Sequence, residues 1–298
     1  MGIWDFFAPQ LCPLVVDHQL STHATVFDPA VAALQPLTTQ LGIPVDGVHR
    51  LIAPLFVGFG LIFIVAFIIW GALGITGAER GLFASCTMSM AHGISTTIFA
   101  GAAVCRAHPG IQYDMPNTPE HEAILQLSTA YFLADLIFYM VPWISNTDTL
   151  FILHHFATSG YMLWSLHIGH GAISSLMLMF LGEITSAFFN PWLAARDYKK
   201  SHGGPHLLAD IVFEIFTYPY STVFIAVRGI IAPFVLSSMC MGLATSEALS
   251  PATKYTWVFL IVGSYLGSLT WVYKLSVGFA KHLRKRIFGV KKAKPAQD

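Results

Sequence analysis

Leu51 to Gly74 make 24 consecutive positions without a charged side chain. As a helix, that run is long enough to cross a hydrocarbon layer of about 30 Å. Further apolar runs cover roughly 81–105, 124–144, 149–168, 171–190, 207–243 and 254–280. Together they predict an all-α polytopic membrane protein with about seven transmembrane helices. The sixth run is too long for one straight crossing and contains Pro219 and Pro233, so it reads as one kinked, tilted helix. A β-barrel would need alternating segments of about ten residues, which this sequence lacks. Charge points the same way. Only 11% of the 298 residues are charged, against about 25% in an ordinary soluble domain. Such a chain cannot clothe a globule in water. This excludes a soluble enzyme, a nucleic-acid binder with a basic face and a disordered chain.

The distribution of basic residues sets the expected orientation. With seven crossings and the N-terminus outside, the inner loops hold Arg80, Arg196, Lys199 and Lys200. The tail adds Lys281, Arg284, Lys285, Arg286, Lys291, Lys292 and Lys294. The outer segments hold only Arg50, Arg106 and Lys254. Eleven against three predicts a lumenal or extracellular N-terminus and a cytosolic C-terminus. Residues 1–50 then form an outer segment, 51–74 the first helix and 281–298 a basic cytosolic tail able to meet anionic lipid. The outer segment shows no cleaved signal peptide. Phe6 stands where a myristoylation signal wants Ser or Thr. Ala30 to Leu41 reads as a short interfacial helix. Cys12, Cys86, Cys105 and Cys240 are scattered without paired spacing, so neither a disulfide framework nor a zinc ribbon is expected.

Ionisable groups inside a membrane cost roughly 2.5–3.5 kcal/mol each on insertion scales. This chain keeps His92, Asp135, His154, His155, Glu183, Asp210, Glu214 and Arg228. Most fall into stripes. The second helix carries Ser85, Ser89, His92 and Thr96; the third, Ser128, Tyr131, Asp135 and Tyr139; the fourth, His154, Thr158, Tyr161 and Ser165. The fifth carries Glu183, Ser186 and Asn190, and the sixth Asp210, Glu214, Thr217 and Ser221. Steps of three and four put each set on one helix face. The first helix has no stripe. A six-helix core around a polar cavity follows, with the first helix peripheral. Apart from Arg228, which reads as nearer the lumenal half, the charged groups fall in the cytosolic half of their helices, which suits a cavity entered from the cytosol. No chemistry is assigned to Arg228.

Adjacent helical residues point about 100° apart. One of His154 and His155 therefore faces the cavity and the other a neighbouring helix. A histidine beside a carboxylate can serve as a general base, or as a nucleophile toward an activated acyl group. Asp135 is the first candidate partner and Glu183 the second. Paired histidines and carboxylates could also ligate zinc or iron. The third histidine of an HxxHH box is missing, however, and no metal or other cofactor is expected. No GxSxG nucleophile elbow and no phosphate loop occur.

Three elements in order carry a resemblance: Ser128, Tyr131, Phe132 and Asp135; the pair His154–His155; and Glu183, Ser186, Phe189 and Asn190. The segment 75–280 resembles the TLC domain of ceramide synthases, translocation-associated membrane proteins and other lipid-homeostasis proteins. Ceramide synthases move an acyl group from acyl-CoA to a sphingoid base, and the positions of His154 and His155 match the histidines they require. Where ceramide synthases carry His-Asp and Ser-Asp, this chain reads Gly182, Glu183 and Ser186. The chain thus looks more like the family members outside the ceramide synthase group.

The resemblance implies membrane lipids as partners, acyl-CoA as a substrate and the endoplasmic reticulum as the compartment. The site it implies comprises His154, His155, Asp135 and Glu183. Around them the stripes place His92, Tyr131, Tyr139, Thr158, Tyr161, Ser186, Asn190, Asp210 and Glu214 as cavity lining. Three functions stay open at this point: acyl transfer to a membrane lipid, lipid binding without turnover, and a scaffold of the early secretory pathway.

Overall fold

The computed structural model describes residues 50–203 and 205–288, with scattered positions among the first 49. The helices are α1 (Ile52–Ala72), α2 (Gly77–Ala107), α3 (Pro119–Asp135), α4 (Thr149–Ile168), α5 (Ala172–Glu183), α6 (Ser186–His202), α7 (Leu207–Phe224), α8 (Ala232–Thr245) and α9 (Pro251–Phe288). Among the described residues there is no strand beyond one isolated bridge between Pro116 and His170. The expected Ala30–Leu41 helix lies largely outside the described residues, as do the last ten residues of the basic tail.

By length and composition, five elements among the described residues can cross a membrane: α1, α2, Pro119–Met140, Leu207–Thr245 and Pro251–Ile287. A bend of 44° joins α5 and α6 into a sixth. The sequence reading of about seven also counts α4, whose 20 residues are long enough but carry His154, His155 and His167. The long run after residue 207 forms one helical path, as its composition suggested. A π-helical turn at Ile225–Ile231 interrupts it just before Pro233. Proline lacks the N–H that an α-helix would use there, so the ladder slips by a residue.

Local signals set the helix ends. Thr118 caps α3 through the His121 N–H at 3.2 Å, with Pro119 in the first turn. Asp148 caps α4 through the Leu150 N–H at 3.0 Å. The α4–α5 turn runs through Gly169 (φ +71°) and Gly171 (φ +77°), a region open to glycine at no steric cost. Asn117 staples that turn, donating to the Ser165 carbonyl and accepting from the Ala172 N–H, both at 2.9 Å.

Helix α2 is the hub, packed against α1, α3, α5 and α6. Its Gly93, Ala100, Gly101, Ala102 and Ala103 let neighbours come close. A Cβ on Gly93 would lie 2.6 Å from that of Ser186. Helix α3 is the most buried candidate span. Helix α1 packs on α2 and α3 and turns Leu61, Ile64, Val65, Ile68 and Ile69 outward. It is peripheral, but α9 at another edge is more exposed still.

The crossings alternate, so the α1–α2, α3–α4 and α6–α7 turns share one end of the bundle with the C-terminal end of α9. The opposite end holds a disulfide between Cys12 and Cys105, with Cα atoms 5.3 Å apart. This corrects the reading of unpaired cysteines. The partners stand 93 residues apart without a motif, and only the packed helices bring them together.

Candidate functional site

Regular α-helix ends in α3 at Asp135, where a π-helical turn, Leu136–Met140, begins. The Asp135 side chain is 4% exposed and that of His155 6%. Asp135 Oδ2 lies 3.1 Å from His155 Nε2, and Ser85 Oγ donates to Oδ1 at 2.7 Å. The other ring nitrogen, His155 Nδ1, is 2.9 Å from the Phe151 carbonyl oxygen. A carbonyl only accepts, so Nδ1 carries a proton. The Nε2–Oδ2 bond needs a second proton, on one atom or the other. The pair is therefore an imidazolium with a carboxylate, or a neutral ring with a carboxylic acid.

His154 points elsewhere. Its ring meets the Phe132 ring edge-on at 5.9 Å, and Nδ1 is 3.5 Å from the Thr158 hydroxyl. It faces a cavity of about 690 Å³ that is also lined by Ser85, Tyr131, Asp135, His155 and Asn190. Asn146, Asp148, Arg196, Asp197, Lys274 and His282 also line this cavity. A smaller chamber of about 130 Å³ adjoins it, lined mainly by Ala157, Tyr161, Leu178, Leu236, Leu260 and Ile261. Phe132, His154, Glu183 and Arg228 line both and form the junction.

Glu183 reaches the junction because the helix bends there. Thr185 Oγ1 and Arg228 Nη2 both donate to the Gly182 carbonyl, at 3.0 and 2.8 Å. Outside donors occupying a helix carbonyl accompany such bends. Ser186 Oγ donates to Glu183 Oε2 at 2.6 Å, and His92 Nδ1 stands 3.9 Å from the same oxygen. Asp135, Glu183 and Arg228 thus each sit at or beside a break in regular helix.

The structure gathers Asp135, His154, His155, Glu183, Tyr131, Tyr139, Ser186 and Asn190 around the large cavity. Thr158 and Tyr161 line the small chamber instead. His92 does not line either. It is fully buried behind Tyr131, whose ring stacks on it at 3.9 Å, and Nε2 meets Ser128 Oγ at 3.1 Å. Asp210 and Glu214 depart furthest from the sequence reading. Asp210 pairs with Lys199 at 2.6 Å, and Glu214 with Arg286 and, at 3.7 Å, His282. Both carboxylates are 38% exposed and neither lines either of these two chambers. Spacing assigned them a face, but their nearness to the end of α7 left them free to pair with surface cations. Arg228 was passed over, although an arginine inside an apolar run is itself a signal of a site.

The description TLC domain applies to the family model that matches residues 82–277. A TLC domain-containing protein of Arabidopsis thaliana is 30% identical over 195 residues, which cover 64% of this chain and 75% of that protein. No solved structure matches.

Proposed function

The chain belongs to the TLC-domain family of membrane proteins, and on that footing we propose that it transfers an acyl group from acyl-CoA to a lipid amine. The coarser statement needs no proposal: this is an integral membrane protein of a lipid-associated family. The observation that carries the finer one is the buried His155–Asp135 contact beside a cavity-facing His154.

The chemistry is the attack of an amine nitrogen on a thioester carbonyl. The N–C bond forms, the C–S bond breaks, and the amine's proton must travel to the departing thiolate. His154 is the residue suited to carry it, accepting the proton on a ring nitrogen and passing it to sulfur. His155 and Asp135 hold a further proton beside it and keep the local electrostatics fixed through the reaction. The products are an amide-linked lipid and free CoA. The wide cavity suits the polar parts of the reactants, and Arg196, Lys274 and His282 suit an anionic donor.

Two independent signals support a cytosolic opening. Basic residues cluster at the end where α9 finishes. The disulfide lies at the opposite end, and disulfides persist in oxidising compartments such as the lumen of the endoplasmic reticulum. The proposed orientation is N-terminus lumenal and C-terminus cytosolic.

The test is turnover of acyl-CoA by the purified chain with a panel of amine and hydroxyl lipids. The His154→Ala/His155→Ala variant should lose about 100-fold or more, the usual share of a proton-transferring residue. Turnover no higher than that variant's, from protein that still carries lipid, would replace acyl transfer with lipid binding. Loss of function on deleting residues 281–298, with histidine variants intact, would instead indicate a scaffold.

A further inference from the structure

Arg228 projects from the π-helical turn between α7 and α8 into the junction of the two chambers. Three contacts hold it. Nη2 donates to the Gly182 carbonyl at 2.8 Å, Nη1 donates to Ser268 Oγ at 3.3 Å, and the guanidinium lies 4.7 Å over the Phe224 ring. Its Nε–H is buried and has no partner. Guanidinium carries five donors in a rigid fork and cannot be deprotonated in a protein. A buried donor left open is costly, and the guanidinium as a whole lines both chambers. Glu183 stands at the same junction and interacts with the cation electrostatically, but its Oε2 is engaged by Ser186.

The small chamber beyond is mostly apolar. The Tyr161 hydroxyl in it is already bonded to Ser174 Oγ at 2.6 Å, and its ring packs at 4.7 Å on the fully buried Trp257. Thr158, Ser175, Ser264 and Tyr265 also line it, but most of its wall is hydrocarbon able to accept the end of an acyl tail. The apolar chamber and the cation meet at Arg228.

We propose that Arg228 docks the carbonyl or carboxylate oxygen of an acyl group whose tail occupies the small chamber. This rests on the acyl-handling part of the reading above and not on turnover. The oxygen takes a guanidinium N–H on the side that lines the chambers, and the cation's hold on α5 and α9 keeps it in place. The acyl carbon then lies at the junction that His154 also lines.

The experiment is displacement of a fluorescent fatty acid from the full chain in detergent. The competitors are a fatty acid, its methyl ester and the n-alkane of equal carbon number. The wild type should bind acid or ester at least tenfold tighter than alkane. Preference for both indicates a carbonyl site, and preference for the acid alone a carboxylate site. Arg228→Gln should abolish the preference, and Arg228→Lys should keep it for the acid only. Ala157→Phe, which fills the small chamber and leaves Arg228 intact, should shorten the longest acid bound by several carbons. Alkane binding as tight as acid in the wild type overturns the proposal, and so does an unchanged preference in Arg228→Gln. An unchanged length profile in Ala157→Phe does the same. If Arg228→Gln fails to fold, the wild-type comparison and Ala157→Phe decide. Acyl binding of this kind without turnover would leave Arg228 its role and remove only the transferase reading. Turnover without the preference would do the reverse.

Discussion

Replacing Asp135 by asparagine or by alanine separates the two roles of this carboxylate. Alanine strands two buried groups, the Ser85 hydroxyl and the proton shared with His155, which now stand 2.7 and 3.1 Å from carboxylate oxygens. Each unsatisfied buried group costs about 1–3 kcal/mol, and breaking a buried pair from one side about 3–5 kcal/mol. Asparagine is different. Its Oδ1 still accepts from Ser85. Its amide N–H can donate to the Nε2 of a neutral His155, whose Nδ1–H remains on the Phe151 carbonyl. The expected loss for asparagine is then about 1 kcal/mol or less. At about 2–4 °C per kcal/mol, alanine should lower the melting temperature by roughly 10 °C and asparagine by roughly 2 °C. Asparagine should nonetheless abolish turnover, because the second proton is gone. The assay is thermal unfolding in detergent, repeated in a His155→Ala background, where the cost of Asp135→Ala should shrink. Equal melting losses for asparagine and alanine, or costs that simply add with His155→Ala, would refute the proton count.

Three further outcomes follow from other parts of the bundle. Gly93→Leu forces α2 away from Ser186 and Glu183, whose atoms lie 2.6 and 3.0 Å from a Cβ there; it should cost about 1–3 kcal/mol, read as lower melting temperature and yield. Asp210→Asn and Glu214→Gln break half-exposed, solvent-screened ion pairs, so each should leave the melting temperature and turnover nearly unchanged, whereas Glu183→Gln should reduce turnover. Cys12→Ser should free Cys105, adding one maleimide-reactive thiol under denaturing, non-reducing conditions; no change in thiol count would contradict the pairing.

Periodicity carried much of this molecule. Most of the stripe residues on the second to fifth helices meet around the cavities, with His92, Thr96, Ser128 and Ser165 outside their linings, and Asp135, the first candidate partner for a histidine, is the one that His155 has. Periodicity reports a face and not a depth or a partner. That is why Asp210 and Glu214 share a face with Thr217 and Ser221 yet end on surface cations, while Thr217 and Ser221 line the cavity. The helix breaks were hidden for a related reason. The bend at Glu183 depends on Arg228 reaching the Gly182 carbonyl from 46 positions away, and no local pattern encodes such a contact. The Cys12–Cys105 bond is likewise a product of tertiary proximity.

That bond has a mechanical consequence for the edge of the bundle. From Cys12 to Cys105 the chain forms a covalent loop that contains all of α1 and nearly all of α2. Helix α1 offers lipid a wide apolar face and touches chiefly its two neighbours, so packing alone holds it on one side only. Closed into the loop, it is tethered to the hub helix at both ends. It can swing but cannot drift off in the plane of the bilayer, and a single cut in the segment joining Cys12 to α1 would leave the two pieces joined until the disulfide is reduced.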